Sequence, residues 1–529
     1  RFCLLGRRME ALYRRASGAK KKPNQEPVTR DAYGFVVKPE HVEAYRRNAP
    51  MYVDEEAERA TRWDAFLAQK DDNGDDDDAR DGARTLDALV RVLDARAARG
   101  SGDDALEESD EERELRALVA GGVPMALRGR CWQIFARVKE RRRDGVFREL
   151  LVAAGETVSA ATATNDRRDG DEEDAVERAL ASLVDATCEA AADDGSRAAV
   201  PDHGCADPTF RRVRKQIDKD LPRTFPGHPL LDGIGRDALR RVLCAYALHN
   251  PAVGYCQGMN FLAALLLLLM EEEPAFWCLS ALVEDVLPGY YGNTMLASAV
   301  DQAVLRTFVD ARFPRVGAAL DDAGVPLAAV TGSWFLTLYV NHLPWETALR
   351  VWDVLLFERT RRVLFQTALA LIDVNAKRIV EAGRSDRLME CAVSVAPAQF
   401  DGSELLIAAT CGAHADVTWT EIMSLYASHH SELTKAGADG TVNGRNNLSA
   451  SVSAAPTSQL ATVGSGEYGT GGECPRKRFP PTPMQEGWAG ADSDDSDSED
   501  EDTGRGGAEG AEGGGAEGTE GEGAEGAEG

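Results

Sequence analysis

From Phe210 to about residue 433 the apolar residues recur at helical spacing and nowhere alternate, so this part of the chain is restricted to an all-α fold. Leu239, Val242, Leu243 and Tyr246 mark a helix that ends near Asn250-Pro251. The run "FLAALLLLLM" at 261–270 is apolar all round, which predicts a fully buried core helix. Ten residues are about half of a bilayer span, so the same run does not read as a membrane segment. "AFWCLSALVEDVL", "ASAVDQAVLRTFVDARF", "GSWFLTLYVNHL", "ETALRVWDVLLFE" and "RVLFQTALALIDVNAKRIV" all read as helices. Upstream, "SDEE" at Ser109 is a capping box that opens a helix with Leu115, Leu118 and Val119 on one face. "LRGRCWQIF" continues with a second amphipathic stripe.

The flanks have a different composition. Residues 1–30 read as a basic, disordered leader, and 31–70 as an N-terminal element whose Tyr45, Tyr52, Trp63 and Phe66 pack on something else. An acidic linker is expected over 71–108, a helical domain over 109–412 with an Ala/Asp-rich insertion at about 140–207, and a helical extension over 413–433. Residues 434–529 are a Ser/Gly-rich and acidic Gly-Ala-Glu tail that cannot bury a core. The formal charge of −28 sits largely in these flanks and argues against a nucleic-acid partner. Ten cysteines without a CxxC pair fit reduced thiols rather than a zinc site or disulfide framework. Cys256 reads as a small buried hydrophobe, and His429-His430 lacks a third ligand at metal spacing.

Two stretches carry chemistry. In "RKQIDKDLPRTFPGHP", Pro222 and Pro226 stop a helix on either side of Arg223, which places the guanidinium on a stiffened loop. In "NPAVGYCQGMNFLAA", Gln257 sits between Gly254-Tyr255 and Gly258 at the start of the buried helix. A glutamine amide can accept a hydrogen bond from a water while donating to a phosphate oxygen. An arginine fork can neutralise charge developing on a transferred phosphoryl group. The pair suits phosphoryl transfer, but the sequence has no GxxxxGK[ST] loop and no GxGxxG cradle after a strand. From residue types alone the alternative stands: Arg223 paired with Asp220, and Gln257 as a hydrogen bonder at a helix start.

These stretches resemble a known family. "IDKDLPRTFP" is similar to the IxxDxxR motif of the TBC-domain Rab GTPase-activating proteins through Ile217, Asp220 and Arg223, and "YCQG" to their YxQ motif through Tyr255 and Gln257. "GGVPMALRGRCWQIF", "GSWFLTLYVNHLP" and "RVWDVLLFE" resemble further family blocks in family order, over about residues 118–400. "DAYGFVVKP" with "RWDAFLAQ" looks like an N-terminal element of some eukaryotic members. The resemblance implies a TBC helical domain that supplies Arg223 and Gln257 in trans, while GTP and Mg²⁺ arrive on a Rab-family GTPase and the chain has no cofactor of its own. It further implies that Asp220 holds the arginine or its loop, that Tyr255 fixes the Gln257 backbone, and that Trp132, Trp334, Trp352 and Asp353 belong to the core. The setting it implies is vesicle traffic, with a cytoplasmic protein that reaches endomembranes peripherally through its partner. The alternative is a silent scaffold that binds a GTPase without accelerating hydrolysis; such a chain is expected to have lost one of the two residues, and both are present.

Overall fold

The computed structural model describes residues 29–68, 86–99, 108–156, 207–231, 234–292, 294–383 and 385–438. The expected leader and tail lie almost wholly outside these residues, as does the centre of the expected insertion. The stretch expected as an acidic linker is described in its second half, where Asp87–Arg99 is a helix that buries Leu89, Val92 and Leu93 because its apolar residues recur at helical spacing. The described residues are helical and contain no β-strand; their one β feature is an isolated antiparallel bridge between Arg30 and Val36. Ser109 caps the helix Asp110–Ala120 by accepting from the Glu112 amide at 3.2 Å. Of "FLAALLLLLM", residues 261–267 form the body of the helix Met259–Leu267, every residue of which is buried, while Leu268–Met270 turn away after its end. Within the stretch read as an insertion, Val146–Ala154 is a helix that buries Phe147, Leu151 and Ala154 against the helix Ile234–His249.

The architecture is organised around the helix Trp345–Glu358, which is buried from Glu346 to its last residue. It touches Asp110–Ala120, Met125–Phe135, Arg362–Ala382 and Gly402–Thr410. Its charged residues at 346, 350 and 353 fall on one face, which periodicity alone would assign to solvent. Instead each meets a partner inside the protein. Asp353 accepts from the Arg128 guanidinium through both oxygens at 3.1 Å, from Trp132 Nε1 at 2.7 Å and from the Val123 amide at 2.9 Å. Arg350 reaches the Ala120 carbonyl at 3.1 Å and the Ser403 hydroxyl. Glu346 receives Arg59 at 2.7 Å and the phenol of Tyr33. Burial alone would raise the Glu346 carboxyl, but Arg59, Arg128 and these hydrogen bonds hold it below its ordinary value.

Arg59 and Tyr33 belong to the N-terminal element, and of the four aromatic residues expected to pack on something else three are buried here while Tyr45 is half-buried. The helix Val42–Ala68 buries Tyr52, Trp63 and Phe66. Its Tyr52 donates to the Phe400 carbonyl at 2.7 Å, and Trp63 to the Gly122 carbonyl at 3.0 Å.

One helix ends earlier than its pattern suggests. "GSWFLTLYVNHL" is helical only to Leu336, after which Leu338, Tyr339 and Asn341 take left-handed backbone angles of 51°, 64° and 69°. Side chains compensate for the broken ladder. Thr337 Oγ1 bonds the Ser333 and Val340 carbonyls, both at 2.9 Å, Trp352 Nε1 donates to Leu338 O at 3.0 Å, and Tyr291 donates to Leu336 O at 2.7 Å. Apolar periodicity does not report such tertiary hydrogen bonds.

The Asp353 cluster yields a stability test. Asp353→Ala leaves Arg128, itself fully buried, without its partner. Breaking a buried pair in this way is expected to cost about 3–5 kcal/mol in urea unfolding. A loss below about 1 kcal/mol, the range of an exposed pair, would contradict the central place given to this contact.

Candidate functional site

The helix Pro208–Asp220 begins with Asp207, whose carboxylate accepts from the Thr209 amide at 2.9 Å, and with proline at its first position. Phe210, Ile217 and Asp220 face inward. The helix then tightens into a single 3₁₀ turn, Leu221–Arg223, with Pro222 inside it. Leu221 is buried, whereas the Arg223 side chain is 69% exposed. After it, Thr224 is buried and Phe225 adopts a left-handed backbone with φ of 47°. The prolines thus do what the sequence suggests: the chain leaves the helix and Arg223 projects from a short, fixed turn.

Gln257 lies on a second turn, bounded by Gly254 at φ 63° and Gly258 at φ 108°. The Gly254 amide donates to Asn250 O at 2.8 Å, and the Gly258 amide to Asn260 Oδ1 at 3.0 Å. A Cβ on Gly258 would lie 3.4 Å from the Leu336 carbonyl, so this glycine satisfies both an angle and a close approach. Gln257 is exposed. Its amide makes no hydrogen bond to a described residue, and the amide at the helix start is served by Asn260. That removes the reading of Gln257 as the helix-start hydrogen bonder.

Two hydrogen bonds cross between the turns. Tyr255 donates to Asp220 Oδ2 at 2.9 Å, and Asn260 Nδ2 donates to Thr224 Oγ1 at 2.8 Å. Thr224 Oγ1 in turn donates to the Asp220 carbonyl at 2.8 Å, closing the base of the Arg223 turn. Arg223 is therefore bracketed by Asp220 and Thr224, Gln257 by Tyr255 and Asn260, and the brackets are bonded to each other. Burial first, and then the Asp220 carboxylate, push the Tyr255 phenol far above its ordinary value, which keeps it a donor. The second Asp220 oxygen is buried without a hydrogen-bond partner and lies 4.0 Å from the Arg223 guanidinium. At that distance and exposure the contact orients the arginine without neutralising it.

Cys256 is half-buried, and burial raises its thiol, so it is not poised as a nucleophile. Among the described residues no cluster of His, Cys, Asp and Glu could hold a metal ion. His429 bonds the Thr307 hydroxyl at 2.9 Å. Trp132, Trp334, Trp352 and Asp353 are buried. The motif reading did not single out Thr224 or Asn260. Asn260 did leave a signal, as the one polar residue entering an otherwise apolar run.

The arrangement is that of helices presenting an exposed arginine and an exposed glutamine from two mutually bonded turns. Residues 202–380, which include both, match the model of the Rab-GTPase-TBC domain, the family that the motifs resemble. It is 34% identical over 311 residues to TBC1 domain family member 2A of Homo sapiens, a match covering 55% of this chain and 28% of that one. It is 43% identical over 176 residues to growth hormone-regulated TBC protein 1 of Homo sapiens, covering 32% and 52%. Among solved structures, the Chlamydomonas flagellar RabGAP TBC domain aligns with 73% of this chain and 100% of its own, at 22% identity and a TM-score of 0.45.

The crossing bonds are open to test. Asn260→Ala removes two hydrogen bonds at a buried position and is expected to cost about 1–3 kcal/mol in urea unfolding, with faster exchange of the Gly258 amide. Unchanged stability together with unchanged exchange would show that the turns are not held this way.

Proposed function

We propose that the chain is a GTPase-activating protein for a Rab-type GTPase, acting in vesicle traffic, with Arg223 and Gln257 inserted into the partner's nucleotide site. The observation that carries this reading is the pair of cross-bonds, one buried and one half-buried, which position two exposed side chains. GTP and Mg²⁺ come with the GTPase. In the proposed reaction the oxygen of a water bonds to the γ-phosphorus as the bond to the β,γ-bridging oxygen breaks. Charge then develops on the GDP leaving group, and the water's protons stay with the products. Gln257 accepts a hydrogen bond from that water and donates to a γ-phosphoryl oxygen. Arg223 meets the growing negative charge with its planar fork. Asp220, Tyr255, Thr224 and Asn260 are positioning residues that spare these groups from reorganising during the reaction. Ile217 anchors the helix from below.

None of the described helices is long and apolar enough to cross a membrane. In the proposed reading the protein acts in the cytoplasm and meets endomembranes peripherally through its membrane-borne partner.

Single-turnover GTP hydrolysis across a panel of Rab GTPases, with Arg223→Ala and Gln257→Ala beside the wild type, tests the proposal. At least one GTPase should be accelerated, and Arg223→Ala should lower the accelerated rate by about 10³- to 10⁵-fold, with Gln257→Ala also strongly impaired. Binding without acceleration would replace this reading with that of a scaffold. Acceleration indifferent to both substitutions would move the chemistry elsewhere.

A further inference from the structure

Phe225, two residues beyond Arg223, has a backbone angle of φ 47°, which a bulky side chain adopts only where its surroundings enforce it. Three rings surround it. Phe35 lies edge-on at 5.0 Å between centroids, Trp345 at 5.2 Å and Phe261 at 5.4 Å. Phe261 and Trp345 belong to the matched domain, residues 202–380. Phe35 lies outside it, in the N-terminal element. Its ring stacks on Trp345 at 3.6 Å with 13° between the planes, and lies 4.5 Å from the ring of His228.

A second contact from the same element reaches the far end of the turn. His228 is buried, and its Nδ1 faces the amides of Leu230 and Leu231, both at 3.3 Å. With Nδ1 accepting, the ring hydrogen sits on Nε2, which donates to the Tyr33 carbonyl at 3.0 Å. The element presenting these groups is itself closed. Asp31 Oδ1 accepts from the Tyr33 amide at 3.0 Å and the Phe35 amide at 2.9 Å, and Arg30 donates to Gly34 O at 2.8 Å. The Tyr33 phenol bonds Glu346, tying the segment to the central helix.

We propose that residues 29–37 form a buttress for the Arg223 turn, and that Phe35 is a positioning residue acting through Phe225. The turn is then held from two sides: Tyr255 and Asn260 set it against Gln257, while Phe35 and the Tyr33 carbonyl hold its C-terminal half. With the buttress weakened, the turn spends part of its time in other backbone states, and the rate falls with the fraction of competent turn. The matched domain alone therefore lacks one wall of the Arg223 site.

This inference rests on the proposed role of Arg223 for its kinetic arm only. With the full chain and whichever Rab GTPase the panel shows to be accelerated, Phe35→Ala should lower kcat about 10- to 100-fold and leave KM nearly unchanged. Phe35→Leu, which keeps an apolar group against Trp345, should recover much of the rate. In an Arg223→Ala background, Phe35→Ala should cost little more, because it acts through a group already removed. Hydrogen exchange on the free protein supplies an arm that needs no GTPase. The amides of Thr224, Phe225, Gly227 and His228 should exchange faster in Phe35→Ala while those of Trp345–Glu358 keep their protection. Unchanged exchange at 224–228, or protection lost equally in both segments, would overturn the buttress, as would a rate loss that adds undiminished to that of Arg223→Ala. If the wild type accelerates no GTPase, the functional reading fails and the exchange result alone decides the buttress.

Discussion

A helix buried on every side must dispose of its charges inside the protein, and the way Trp345–Glu358 does so governs the rest of this structure. Asp353 collects Arg128, Trp132 and the Val123 amide from the helix packed beside it and the residues leading into it. Arg350 reaches Ala120 on one side and Ser403 on the other, and Glu346 gathers Arg59 and Tyr33 from the N-terminal element. Leaving any of these groups unpaired in the interior would be costly, so each pairing also fixes where an outer element sits.

That arrangement bears on the candidate site because Trp345, the first residue of the central helix, stacks on Phe35 and touches Phe225. The core thereby supports the Arg223 turn from beneath, and the N-terminal element supports it through the same tryptophan. On the other flank the cross-bonds from Tyr255 and Asn260 set the spacing of the two turns. The exposed groups are few, and of their supports Asp220, Thr224 and Asn260 are buried and Tyr255 is half-buried, the division of labour expected where side chains must already be in place when a partner arrives.

Much of this was legible in the chain itself. The absence of alternating runs and the ten-residue apolar stretch are enough for an all-α core, and two prolines flanking Arg223 are enough for a turn that projects it. Gln257 between two glycines was legible for the same kind of local reason. What stayed hidden depends on contacts distant in sequence. Glu346, Arg350 and Asp353 repeat like a solvent face, and nothing local reveals that Arg59, Ser403 and Arg128 lie opposite. The left-handed residues after Leu336 interrupt a good helical pattern because Trp352 and Tyr291 capture the carbonyls. Thr224 and Phe35 carry no chemical signature; their roles arise from Asn260 and Phe225, which the fold brings beside them.

The central claim is that Arg223 and Gln257 complement a transition state on another protein. The most direct measurement is the affinity of the chain for a Rab GTPase carrying GDP and aluminium fluoride, compared with the same GTPase carrying a non-hydrolysable GTP analogue. Complementarity to the transition state should tighten binding by about 100-fold or more, and Arg223→Ala or Gln257→Ala should abolish the difference while leaving the weaker complex. Equal affinity for the two nucleotide states in the wild type would contradict the account and leave a domain that binds without catalysing.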